Sequence, residues 1–286
     1  MRTFACAALA ACCLATPAFG QSTAASPGMP SPADIANKDS FTIGVGGALI
    51  PDYEGSDDYR LIPAAAIRGR ISGISFSTRG TYLYVDVIPQ GSSNVDFDAG
   101  PIVGARFNRT KHHLKDDIVD LLPTRKTAFE VGAFAGVSFH GLTNPYDTLA
   151  LRFDVLHDVG NAHKSTIFSP NVEFSTPLSR TTYASASVGA EFVSNKFADY
   201  YFSITPADRL ATGNVLPVFD ADGGMKNWKA SVLLNQSITG DLLHGFSIFG
   251  TAQYSRLVGD FKRSPIVSDR GSASQWLAAA GVAYTF

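Results

Sequence analysis

Four carboxylates crowd one short stretch. "PDYEGSDDYRLIP" (Pro51–Pro63) carries Asp52, Glu54, Asp57 and Asp58, interleaved with Tyr53, Gly55 and Tyr59. Oxygen ligands at that density could hold a divalent cation. The stretch lacks the calcium-loop spacing and its closing Glu, and Gly55-Ser56 supplies a bend, so it reads first as a solvated turn. The histidines are His112, His113, His140, His157, His163 and His244. They are scattered, with no H-E-x-x-H pair. A serine nucleophile needs a base and an orienting group, and no G-x-S-x-G element is present. "GVGGAL" is rich in glycine but lacks the Lys of a phosphate loop. The sequence therefore assigns no catalytic residue, no metal ligand and no cofactor, and predicts a protein that is not an enzyme.

Composition narrows the setting. Charged residues make up 17% of the chain, against roughly 25% in ordinary soluble domains. Gly numbers 26, Phe 20 and Tyr 10 in 286 residues. No apolar run after the N-terminus reaches the ~18–20 residues of a membrane helix. A net charge of −2 supplies no basic field for nucleic acid. Residues 1–20 carry a positive start, an apolar run and Ala18-Phe19-Gly20 before Gln21, which reads as a secretory signal peptide cleaved after Gly20. "LAAC" (Leu9–Cys12) offers a lipoprotein-type alternative. All three cysteines, Cys6, Cys12 and Cys13, fall inside that segment. The mature chain would then hold no disulfide or thiolate site. Residues 21–40 are Ser-, Pro- and Ala-rich and read as a flexible periplasmic tail.

From Phe41 to Phe286 the pattern is period two. Phe41, Ile43, Val45 and Leu49 alternate with small or polar residues, as do Phe129, Val131, Ala133, Ala135, Val137 and Phe139. Ten-residue strands with one apolar and one small-polar face fit a lipid-facing barrel wall. They also fit a soluble sandwich or lipocalin. The last segment, "SQWLAAAGVAYTF", alternates Trp276, Ala278, Ala280, Val282 and Tyr284 and ends on Phe286. Tyr284 and Phe286 form a candidate C-terminal assembly signal for an outer-membrane barrel. The predicted fold is all-β: a transmembrane antiparallel up-and-down β-barrel of about 12 strands (alternatively ten) over 41–286. Strands are expected near 41–50, 61–70, 74–87, 95–108, 127–140, 147–157, 165–175, 181–193, 198–205, 226–238, 244–257 and 274–286.

With both termini periplasmic, 51–60 becomes the first extracellular loop and 203–225 and 258–273 later ones. Its tyrosines would then join the aromatic girdle and its carboxylates meet water. Residues 108–126 fall on the periplasmic side, although periplasmic turns are usually short. Leu114, Ile118 and Leu121 recur at helical spacing there, so one short periplasmic helix is expected near 114–122. Leu114, Ile118, Leu121 and Leu122 are its apolar face, which would either cap the periplasmic mouth or serve as a candidate partner-binding face. Val215, Leu216, Val218 and Phe219 make the loop near 206–225 too apolar for plain exposure. They are candidates for folding into the lumen and restricting it.

These pieces resemble the MipA/OmpV family of outer-membrane proteins. The matching stretches are "FTIGVGGALIPDYEGSDDYRLIPAAAI" (41–67), "YYFSITPADRLATG" (200–213), "DADGGMKNW" (220–228) and "LVGDFKRSPIVSDRGSASQWLAAAGVAYTF" (257–286). The P-x-Y-x-G-S element (Pro51, Tyr53, Gly55, Ser56) and the G-D…S-P-I element (Gly259-Asp260 and Ser264-Pro265-Ile266) are the most specific signatures. The resemblance implies a non-enzymatic scaffold in the outer membrane of a Gram-negative bacterium, linking it to a lytic transglycosylase and a murein synthase. It also implies contact with outer-membrane lipid and the barrel-assembly machinery. A porin-like channel for small solutes or a surface adhesin is the alternative, and a barrel hydrolase a lesser one. The family carries no catalytic residues to transfer.

Overall fold

Alternation sets the architecture, because a strand in lipid must place its apolar residues outward and satisfy its backbone with neighbouring strands. The computed structural model describes residues 39–89, 94–111 and 113–286. The segment expected to be a signal peptide, most of the expected tail and His112 lie outside the described residues. Twelve described strands close into an antiparallel barrel in sequence order. They are β1 (Ser40–Pro51), β2 (Tyr59–Ile71), β3 (Ile74–Arg79), β4 (Tyr82–Asp86), β5 (Val95–Arg106) and β6 (Ala128–His140). The second half comprises β7 (Thr148–Asp158), β8 (Thr166–Pro177), β9 (Thr182–Val193), β10 (Gly224–Ser237), β11 (Gly245–Leu257) and β12 (Ser274–Thr285). β1 and β12 close the ring, with Thr42 opposite Thr285 and Val45 opposite Val282.

The outer wall is apolar. Ile43, Val45, Leu49, Leu61, Phe97, Phe129, Val188, Val232, Ile248 and Val282 are all exposed on it. Aromatic residues ring it at two heights. Trp228, Tyr254 and Trp276 contact one another at one end (5.4 and 5.0 Å between ring centres). Phe246, Tyr284, Phe286, Phe41 and Phe76 form a chain of contacts at the other. Trp276 to Phe286 is about ten residues, or ~33 Å of strand at ~3.3 Å per residue. At a tilt near ~40° that spans ~25 Å, the height of an outer-membrane apolar band. The inner wall is lined by small residues where bulk must fit. Phe249 points inward, and its ring would meet a Cβ at Gly44 at 3.1 Å and one at Gly281 at 2.9 Å.

The expected strand number holds, but two expected strands do not. The segment 74–87 is a hairpin, β3 and β4, because Gly80 takes a positive φ of 60° and lets Arg79 pair with Tyr82. The segment 198–205 is helical instead. Its helix α1 (Asn195–Phe202) buries Phe197, Ala198, Tyr201 and Phe202 on one side. One strand gained and one lost leave the number unchanged, yet they reverse the direction of every strand between. The loop 107–127 therefore lies at the end away from the termini, beside 52–58, 194–223 and 258–273. Its helix is only a single 3-10 turn, Val119–Leu121. The long turn expected at the terminus end thus lies at the opposite one. The terminus end carries the short connections 72–73, 141–147, 178–181 and 238–244. Short turns mark the periplasmic side and long loops the outer one.

Candidate functional site

The four long loops fold together over the barrel mouth. α1 supplies the centre, since Phe197 and Tyr201 stand one helical turn apart and both are fully buried. After α1, Ile204 and Phe219 exchange backbone hydrogen bonds at 2.8 and 3.0 Å. Between them α2 (Pro206–Ala211) starts from a capping box, with Thr205 and Asp208 bonding each other's backbone N–H. The last loop adds α3 (Gly259–Arg263) and α4 (Pro265–Ser268). Phe261 meets Phe202 edge-on at 5.1 Å, and the Ser264 hydroxyl donates to the Phe202 carbonyl. Leu114, Val119, Leu122, Leu216, Ile266 and Val267 are buried in the same cluster. The result is a second hydrophobic core, seated on the barrel rather than in lipid.

Polar ties bind the loops to one another. Asp52 accepts from Lys115 N–H at 2.9 Å, and Asn108 accepts from Glu54 N–H at 3.0 Å. Arg270 pairs with Asp116 at 2.8 Å. Beneath the plug lies a layer of charged side chains. The Lys226 ammonium, fully buried, sits 2.5 Å from Glu54 and 3.1 Å from Glu191. Arg106 pairs with Glu191 at 3.2 Å and Glu130 at 2.8 Å. Glu130 also meets His163 at 3.0 Å and accepts from the Tyr82 hydroxyl at 2.8 Å. The Phe197 ring rests on this layer, with Arg106 at 5.3 Å and Lys226 at 5.0 Å from its centre. A β-bulge between Met225 and Asn227 breaks the alternation at Lys226 and turns it inward. Farther down, Arg79 on β3 reaches Glu173 on β8 at 3.1 Å, five strands away around the ring. Ion pairs thus cross the lumen as well as line it.

The expected site residues divide. Leu114 and Leu122 are buried in the plug and Ile118 packs against it, whereas Leu121 points out. They form no common docking face, and they sit at the end opposite the termini. Leu216 is fully buried and Phe219 packs on the same cluster, while Val215 and Val218 are exposed. Tyr53 leaves the expected girdle altogether: it is 2% exposed, and its hydroxyl donates to the carbonyls of Ile266 and Arg270 at 3.0 Å each. Burial raises its pKa, so the phenol remains the donor these bonds need. Asp52 is buried too, 3.6 Å from Arg60, so it does not meet water as a loop carboxylate would. Asp57 alone of the four carboxylates is largely exposed. Tyr284 and Phe286 face outward at the terminus-side ring.

His140 stands 3.3 Å from Asp96 and 2.9 Å from the Thr148 hydroxyl, a hydroxyl–imidazole–carboxylate trio. Thr148 lies directly across the strand pair from His140. His157 and Thr166 repeat the same cross-strand contact at 3.0 Å, with His157 on the outer face. The arrangement follows from register and needs no catalytic explanation.

The family described as MltA-interacting protein MipA matches residues 43–286. The chain belongs to the MipA family. No match is found among curated proteins. Among solved structures, an outer-membrane channel from Pseudomonas putida F1 (COG4313) is 9% identical, with a TM-score of 0.50 over 92% of this chain and 100% of that one. The NanC porin is 10% identical, with a TM-score of 0.47 over 86% and 98%. At 9% identity the likeness to the Pseudomonas putida channel is one of fold, an outer-membrane barrel.

In this MipA chain the signature loop is a clip. Gly55 N–H donates to the Gln275 side chain at 3.2 Å, and Gln275 Nε2 donates to the Ser56 carbonyl at 2.9 Å. Gly55 takes φ +105°, and a Cβ there would lie 2.5 Å from Val267. Pro51 ends β1 opposite Tyr59. Tyr53, Gly55 and Ser56, three residues of the motif on which the resemblance was drawn, thus fasten the first loop to the last. Sequence reading missed Lys226, Glu191, Arg106, Glu130 and His163. For Glu130 and Glu191 the local signal is a lone carboxylate on the small-polar face of its strand; Arg106 shares β5 with two aspartates, Lys226 turns inward only at the bulge, and His163 lies between strands.

Proposed function

We propose that the protein is a non-enzymatic interaction protein of the outer membrane, linking it to murein-synthesising and murein-degrading enzymes. The observation that carries this reading is the closed mouth. Four loops with a shared hydrophobic core fill it, above ion pairs that cross the lumen. A sealed barrel suits an anchor better than a pore. The family's description, an MltA-interacting protein, supports a murein-related partner. Partners in the periplasm would meet the terminus-side rim: the turns 141–147, 178–181 and 238–244, and the tail before Ser40. The loop 107–127 lies at the other end and is outside this rim. Removal of segment 1–20 as a signal peptide in a Gram-negative envelope is part of the proposal.

The test pairs two measurements. Photo-crosslinkers at Ser179 and Asp241 should capture murein enzymes in intact cells, and one at Leu121 should not. In planar bilayers the wild-type protein should be silent. Captures from Leu121 alone, or a steady wild-type conductance, would overturn the reading.

A second reading, a gated channel for small solutes, draws on the lower lumen. The inward-facing Ala66 and Arg68 of β2 are exposed, so water reaches that part of the interior. It predicts a silent wild-type barrel that conducts when 206–222 is removed.

A further inference from the structure

One cluster inside the plug lacks the counter-charge its burial requires. Arg109 follows β5 at a positive φ of 53° and is 3% exposed. None of its Nε, Nη1 or Nη2 atoms has a hydrogen-bond partner among the described residues. The same is true of Arg125 Nε and of the Tyr201 hydroxyl. These groups are neighbours. Arg125 N–H donates to the Arg109 carbonyl at 2.8 Å. The Arg125 guanidinium lies 5.0 Å from the Tyr200 ring centre, and Tyr200 and Tyr201 are in edge contact at 4.8 Å. Asp208 is the carboxylate within electrostatic range of both arginines. Its Oδ2 is engaged by Thr205, and it forms no ion pair with either arginine among the described residues. Burial, and then repulsion from Arg125, push the Arg109 pKa down to about 9. Every unmet atom is a donor, or for Tyr201 a hydroxyl free to donate. A buried guanidinium without an acceptor is strongly disfavoured.

We propose that Arg109, Arg125 and Tyr201 form a binding site for a small oxyanion, a phosphate or a carboxylate, lodged between the loops 107–127 and 194–223. The Arg109 fork offers two parallel N–H groups to one anionic centre. Arg125 Nε and the Tyr201 hydroxyl complete the donor set. Arg125 is half-buried while Arg109 is covered, so the ion enters past Arg125 and is held at Arg109. The depth of the site restricts it to a small ion. Because its donors come from two loops, the bound anion is a structural part of the plug.

The probes are inorganic phosphate and acetate, titrated by calorimetry into the full-length folded barrel in zwitterionic micelles at constant ionic strength with chloride. Saturable one-to-one binding of either probe is expected, with the preferred probe naming the ligand chemistry. Arg109→Met should abolish it, and Arg125→Gln and Tyr201→Phe should each weaken it about tenfold. Chloride alone should not compete at equal concentration. If Arg109→Met fails to give the heat-modifiable folded band, the other two variants carry the test. No saturable binding of either probe by the wild type overturns the proposal. So does affinity unchanged in Arg125→Gln and Tyr201→Phe.

Discussion

Lys226→Met probes the layer on which the plug rests. The lysine is fully buried, 2.5 Å from Glu54 and 3.1 Å from Glu191. Removing one member of a buried ion pair typically costs ~3–5 kcal/mol, because the remaining charge is left without compensation. Two features of this site reduce that figure. Glu191 keeps Arg106 at 3.2 Å, and the Glu54 side chain is 21% exposed and can take up water. The expected loss is therefore near the lower end, ~3 kcal/mol. Loss of the cation from the face of Phe197 contributes up to ~1 kcal/mol of it. Urea unfolding in lipid vesicles, followed by the fluorescence of Trp228 and Trp276, reads the loss. The deciding comparison is the double variant with Glu54→Gln. If Lys226 and Glu54 act as a pair across the plug boundary, the double variant costs ~1–3 kcal/mol less than the sum of the single ones. Additivity within about 0.5 kcal/mol would show that the contact does not couple loop and wall, and the reasoning would fail.

Further expectations concern the clip and the rim. Gly55→Ala places a methyl group 2.5 Å from Val267 at φ +105°, and should cost about 2–4 kcal/mol by overpacking and backbone strain, read by the same unfolding measurement. Tyr53→Phe removes the donor to Ile266 and Arg270 and should cost ~1–2 kcal/mol, with faster proteolysis of 258–273 as a local readout. Asp147, in the turn after β6, accepts from Leu142 N–H, Thr143 N–H and hydroxyl, and Asn144 N–H. These bonds hold its carboxyl below the ordinary value of 3.8. Its contribution is therefore present above that value and lost as the pH falls through the lowered folded pKa. Asp147→Asn should flatten the acid limb of the stability profile while leaving its shape near neutrality unchanged.

How much was legible depended on the range of the forces involved. The outward alternation of β1, β6 and β12 is local, since lipid acts on each strand alone, and it could be read residue by residue. The turn at Gly80 was not, because "STRGTYLY" keeps its alternation straight through a two-residue reversal. "NKFADYYF" is crowded with aromatics that suit a strand equally well. Its helical period, Phe197 with Tyr201 and Ala198 with Phe202, has meaning only against the plug. The layer beneath is more remote still. Lys226 and Glu54 lie at opposite ends of the chain, and neither neighbourhood announces the other. Tyr53 beside acidic residues suits a membrane interface until the last loop arrives to accept its hydroxyl. Most leucines of 107–127 need covering wherever the loop lies, and strand parity sets the loop where the molecule's own loops, not a periplasmic partner, cover Leu114 and Leu122.

The clip between the first and last loops bears on the order of assembly. Tyr53, Gly55 and Ser56 leave β1, while their partners Ile266, Arg270 and Gln275 flank the start of β12. The same two strands meet at the far end, where the Thr42 and Thr285 hydroxyls bond at 2.9 Å and Phe41 stacks on Phe286. The seam is thus buttoned above and below by contacts that exist only when the chain's beginning and end are side by side. An unfinished barrel cannot complete its stopper, and a completed stopper certifies a finished barrel. The wall must therefore close before or together with the corking of the mouth, and never after it.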